Sequence, residues 1–124
     1  MEVIRSVPAD RPQIQRYRGG GFTISGVRYD GPVLVLPTQV MAWPLTALAA
    51  VDSGKLIPAL TDAAVSLCLF GSGSRMEPVP APLRQALKDA GIGVDSMETG
   101  AACRTFNMLS GEGRAVAALL IPLA

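Results

Sequence analysis

The stretch Val65-Ser66-Leu67-Cys68-Leu69-Phe70-Gly71-Ser72-Gly73 is an almost continuous apolar run that ends in Gly-Ser-Gly. It lacks the strict alternation of a strand wet on one side, so it reads as a strand buried on both faces. It is too short to cross a bilayer. The segment after it carries a helical pattern and is followed by a second short apolar stretch, Val94 to Met97. Strand, crossover-length helix and strand together predict a covered parallel pair in an α/β domain.

Working outward, Ala81 to Ala90 has the clearest helical period. Leu83, Ala86, Leu87 and Ala90 recur at i, i+3, i+4 and i+7, with Arg84, Gln85, Lys88 and Asp89 facing away. Pro82 suits the first turn and Gly91 the left-handed stop, with Ile92 closing back onto Leu87. Glu98-Thr99-Gly100 opens a second helix, read with Thr99 as N-cap and Ala102, Phe106 and Leu109 as the inward stripe. Ala115 to Ile121 reads as a last buried strand stopped by Pro122.

Upstream, Phe22-Thr23-Ile24 and Val27-Arg28-Tyr29 flank a Ser25-Gly26 turn and read as a hairpin. Pro32 to Leu36 extends it into a small meander. Thr38 to Val51, which holds the single Trp43, has no clear assignment, and Trp43 reads as a core anchor rather than a ligand platform. Asp52 or Ser53 caps a short helix carrying Leu56, Ile57 and Leu60, with Pro58 expected to limit its length or displace its start. Residues 1–20, rich in Pro, Gln and Arg, read as an irregular N-terminal arm, and residues 21–124 as one α/β domain.

The chain has 124 residues, 49% apolar and 17% charged, enough for a real core. Eleven basic and ten acidic side chains leave a net charge of +1. That balance, with only six aromatics, argues against nucleic acid as the partner. The N-terminus lacks a signal-peptide core and no segment is of membrane-spanning length, so the reading is a cytoplasmic protein that is not membrane-embedded. Two cysteines without metal or disulfide spacing agree with a reducing compartment. There is no histidine, which excludes Ser-His and Cys-His nucleophilic pairs within the chain and histidine-containing zinc sites.

If the strands ending near Phe70 and Met97 are parallel neighbours, their carboxyl ends bring two small-residue loops to one sheet edge, where α/β folds form ligand crevices. The candidate ligand-binding residues there are Gly71, Ser72, Gly73, Arg75, Thr99, Gly100, Arg104 and Asn107, suited to an anion such as phosphate. Pro78 and Pro80 separate the glycines from the next helix, which departs from a dinucleotide fingerprint. Cys103 beside Arg104 is the best nucleophile by position, but beside Ala102 and Phe106 it reads more simply as a core residue. Asp95 and Glu98 could be paired carboxylates, but neighbouring strand positions alternate faces and Glu98 reads as easily as a helix-end charge. No catalytic residue, cofactor or metal is expected.

Gly26-Val27-Arg28-Tyr29-Asp30-Gly31, Trp43, Leu69-Phe70-Gly71-Ser72-Gly73 and above all Met97 to Leu109 with Glu112-Gly113-Arg114 carry a resemblance. Over roughly Tyr17 to Ile121 the chain resembles the widespread Mth-type domain family that includes a mitochondrial complex I assembly factor and the adipogenesis-associated domain protein. The familiar pattern has Gly-Thr-Gly and Thr-Tyr-Asn where this chain has Gly71-Ser72-Gly73 and Thr105-Phe106-Asn107. The resemblance implies a three-layer α/β domain, with a central mixed sheet, helices on both faces and a β-hairpin appendage. It also implies an interaction or assembly-factor module that binds a protein partner, without established catalysis or cofactor. The competing expectation is a small-molecule-binding domain or enzyme at the glycine-loop edge. Homo-oligomerisation is left open.

Overall fold

The computed structural model describes residues 11–123; the first half of the expected arm, residues 1–10, therefore lies outside the described residues. Its centre is a five-stranded mixed sheet in the order β5-β4-β8-β6-β7. The strands are β4 (Val33–Val35), β5 (Val40–Ala42), β6 (Leu67–Gly71), β7 (Gly93–Met97) and β8 (Val116–Leu120). As expected, β6 and β7 are parallel neighbours, and β6 also runs parallel to β8. Strand β4 is antiparallel to both β5 and β8. Every residue of β8 is buried, as the continuous apolar run requires.

The period-two alternation of these strands divides the core into two layers. Leu34, Cys68, Phe70, Ala117 and Leu119 point to one side, where they meet Leu56 and Leu60 of α1 (Ser53–Asp62) and Leu83 and Leu87 of α2 (Ala81–Asp89). Val33, Val35, Leu69, Val116, Ala118 and Leu120 point to the other, against Ala102, Cys103 and Phe106 of α3 (Thr99–Gly111) and against Ile14, Phe22 and Ile24. Helices on both faces of a mixed sheet give the three-layer architecture. Trp43 is half-buried against the first layer, as a core anchor.

The helix ends follow local chemistry. Helix α2 stops with Gly91 at φ +77°; Gly91 N–H donates to Lys88 O and Ile92 N–H to Leu87 O, both at 2.9 Å, completing a Schellman motif. Helix α1 begins at Asp52, whose carboxylate accepts from Gly54 N at 2.9 Å. Pro58 neither shortens α1 nor shifts its start. It lies inside the ten-residue helix on the exposed side, so the Gly54 carbonyl it leaves without a helical donor is open to solvent.

The smaller sheet is antiparallel, in the order β1-β2-β3, with β1 (Ile14–Arg16), β2 (Gly21–Ile24) and β3 (Val27–Asp30). The hairpin turns at Ser25 and Gly26, both at positive φ (48° and 83°), as a primed turn demands. Two expectations change here. The meander does not continue into β4, because the buried pairing of Val33, Leu34 and Val35 with β8 draws that strand into the central sheet. Regular structure also begins before Gly21, because Ile14 is buried in the core and draws β1 onto β2.

Candidate functional site

The carboxyl ends of β6 and β7 do bring Gly71-Ser72-Gly73 to the start of α3, and the two loops lock together there. Thr99 N–H donates to Gly73 O, and Gly73 N–H donates to Thr99 Oγ1, each at 2.8 Å. The Thr99 hydroxyl in turn donates to Ile121 O at 2.7 Å. Thr99 is fully buried, and its hydroxyl ties together the β6 exit, the α3 start and the chain after β8. The approach is close enough that a Cβ on Gly71 would lie 2.9 Å from Leu120 Cδ2 and 3.1 Å from Thr99 Cα. Gly71 thus lets the backbones approach, whereas Gly73 supplies a positive φ of +98°.

Thr99 is therefore not the N-cap. Glu98 caps α3, its carboxylate accepting from Gly100 N at 3.0 Å and from Ala101 N. A carboxylate on the first-turn amides is what the helix dipole favours, and it fills the seat in which an external anion would bind. Arg104 Nη2 lies 3.6 Å from Glu98 Oε1, while its Nη1 donates to Tyr17 Oη at 2.9 Å. The Tyr17 ring covers the same spot, with Cε1 3.1 Å from where a Gly100 Cβ would stand. Residues ahead of β2 thus close over the helix start; sequence reasoning missed Tyr17, and it read Glu98 as a helix-end charge while giving the cap itself to Thr99.

Ser72 and Asn107 have internal duties too. Ser72 Oγ donates toward Met97 O at 3.2 Å and toward Arg75 O, and accepts from Glu77 N at 2.9 Å, so it folds the loop that follows. The Arg75 side chain stands exposed on that loop, whereas Arg104 is engaged with Tyr17. Asn107 is turned toward β1: its Nδ2 donates to Ile14 O at 2.8 Å and its Oδ1 accepts from Ile14 N at 2.9 Å. It clamps the strand to α3 as a ladder partner would. Cys103 is 1% exposed, and burial first, then the Glu98 charge, push its thiol up to about 12 against the opposing charge of Arg104. Such a thiol is a core residue rather than a nucleophile. Among the described residues, no group of three or more Cys, Asp or Glu is arranged to hold a metal, and no helix is long and apolar enough to cross a membrane.

Residues 14–121 match the model of the family described as "Protein of unknown function (DUF498/DUF598)". The chain belongs to this family. Among DUF498 relatives, NADH dehydrogenase [ubiquinone] 1 alpha subcomplex assembly factor 3 of Homo sapiens is 33% identical over 98% of this chain and 67% of its own length. The protein of the same name from Rattus norvegicus is 34% identical over 88% of this chain and 60% of its own length, so the chain spans about two thirds or less of these relatives. A crystal structure described as an outer membrane protein from Bartonella henselae superposes with a TM-score of 0.83 at 31% identity, covering 92% of this chain and 97% of that one. A solution structure from Bordetella pertussis, described as an Mth938-like domain, gives 0.79 at 25% identity over 98% and 92%. The family expected from Met97 to Leu109 is thus the family found.

Proposed function

We propose that this protein is a non-enzymatic interaction module that acts in the manner of an assembly factor, by holding a protein partner. The reading rests on one observation above others: similarity to relatives named as complex I assembly factor extends over nearly the whole chain. The geometry agrees, since the groups that would serve a ligand at the sheet edge, Arg75 apart, are spent on the fold. Binding an anion at the α3 start, the competing reading, requires Glu98 to leave the amides of Gly100 and Ala101. A cytoplasmic location belongs to the same proposal, in keeping with two cysteines that are buried and unpaired.

The test is capture from native lysate followed by reconstitution of the captured protein with the purified chain. A stoichiometric complex that reforms from two purified components is the expected result. Turnover of a phosphorylated metabolite by the purified chain, with no complex reforming, would overturn the proposal.

A further inference from the structure

The near-neutral total hides an uneven charge distribution. The segments that build the layer of β1–β3 and α3, residues 11–31 and 98–114, carry Arg11, Arg16, Arg18, Arg28, Arg104 and Arg114 against Asp30, Glu98 and Glu112. Six cations against three carboxylates leave +3 there, while the other described segments hold four cations against five carboxylates, or −1. A dipolar surface of this kind steers a charged partner toward one face.

A register shift in β1 aims that charge. Ile14 pairs with Ile24 and points into the core, whereas Arg16 pairs with Thr23 instead of Phe22. One residue is taken up between them, so Arg16 is turned away from the core and onto the face that Thr23 shares with its other partner, Arg28. The result is a row, Arg16–Thr23–Arg28, across the outer face of the small sheet, with the two outer strands about 10 Å apart. Arg28 is fixed in place: Nε binds Asp30 Oδ1 at 3.0 Å, Nη1 donates to Arg18 O at 3.2 Å and Nη2 to Gly19 O at 2.8 Å. These bonds shape a hollow of about 670 Å³ lined by Gln15, Arg16, Tyr17, Arg18, Gly19 and Arg28. Among the described residues, no carboxylate pairs with Arg16 or Arg18.

We infer that this arginine-lined hollow receives an acidic, extended segment of a protein partner, an inference that rests on the interaction-module reading above. Alternate side chains of an extended peptide fall on one side roughly 7 Å apart, a spacing that lets successive carboxylates meet the separate guanidinium groups of Arg16 and Arg18, while Arg28 holds the wall of the hollow. A single phosphate is a poorer fit, because it is small against a hollow of about 670 Å³ and leaves most of the lining uncontacted. Single-stranded nucleic acid is poorer still, since Tyr17 is the one aromatic lining the hollow and stacking needs a series of them.

The probe is a fluorescein-labelled octapeptide of glutamate, titrated with the intact chain at low ionic strength and read by anisotropy. The expected result is saturable binding that weakens about tenfold in Arg16→Glu/Arg18→Glu, two exposed pairs lost. It should change less than about twofold in Arg84→Glu/Lys88→Glu, which removes the same charge from the exposed side of α2. Far-UV circular dichroism confirms the fold of both variants. Equal weakening in the two variants, no binding by the wild-type chain, or displacement by inorganic phosphate or an oligonucleotide at lower concentration than unlabelled peptide would overturn the inference. If the reconstituted partner still binds Arg16→Glu/Arg18→Glu as tightly as wild type, this site falls and the interaction-module reading stands.

Discussion

Replacing Thr99 by valine keeps the shape of a fully buried side chain and removes only its hydroxyl. The cost follows from the two bonds that hydroxyl makes. Gly73 N–H, which is buried, loses its acceptor at 2.8 Å, and Ile121 O, which is partly exposed, loses its donor at 2.7 Å. A buried group left without a partner costs about 1–3 kcal/mol, and a part-buried one about 1, so Thr99→Val is expected to destabilise by about 2–4 kcal/mol. Thr99→Ser keeps the hydroxyl and gives up one methyl, for roughly 1 kcal/mol. In urea unfolding with a slope of about 1.5 kcal/mol per M, 3 kcal/mol lowers the midpoint by about 2 M with the slope unchanged. Valine within about 0.5 kcal/mol of wild type, or serine as damaging as valine, would refute the reasoning that the hydroxyl is the tie.

Asn107→Ala releases β1 from α3 and is expected to cost about 1–2 kcal/mol, with amide exchange at Ile14 accelerating more than at β2; unchanged exchange would mean the clamp is idle. Ala64 closes α1 at φ +56°, where a Cβ is strained, so Ala64→Gly is expected to raise stability by about 0.5–1 kcal/mol in the same urea assay. Burial raises the thiols of Cys68 and Cys103 from 9.0 to about 12, so neither should react with a thiol reagent at pH 8 until the chain unfolds. The unfolded thiols ionise near pH 9 and the folded ones do not. Their contribution to stability is therefore complete below pH 9 and is lost as pH rises toward 12, a loss that Cys68→Ala/Cys103→Ala should lessen.

The parts of this fold legible in the sequence are those fixed by short-range chemistry. The apolar run of β6, the Leu83/Leu87 stripe and the Gly91 stop of α2 depend on neighbours within a few residues, and all three are present. What stayed hidden depends on distant partners. Strand β4 leaves the expected meander because Val33 pairs with Leu120, far along the chain, and no local pattern encodes that choice. Thr99 and Glu98 are both reasonable caps by residue type; the structure gives the cap to Glu98 because the Thr99 hydroxyl is needed by Gly73 and Ile121. The candidate edge was brought together, but most of its polar groups are taken by the fold: Gly73 and Thr99 by each other, Asn107 by Ile14 and Arg104 by Tyr17. The shift that turns Arg16 outward had no signal in a segment that read as irregular.

The central claim is that the edge built by Gly71 to Gly73 and the start of α3 is closed by the protein's own groups, leaving partner binding as the work of the surface. An amide chemical-shift titration of isotopically labelled protein with phosphate, nucleotides and phosphorylated metabolites tests it at Gly71, Ser72, Gly73, Gly100 and Ala101. With Glu98 on the helix amides, those signals are expected to stay still at ligand concentrations of about 1 mM and above, where even weak specific sites fill. Saturable shifts clustered on these five amides would contradict the account and return the site to ligand chemistry.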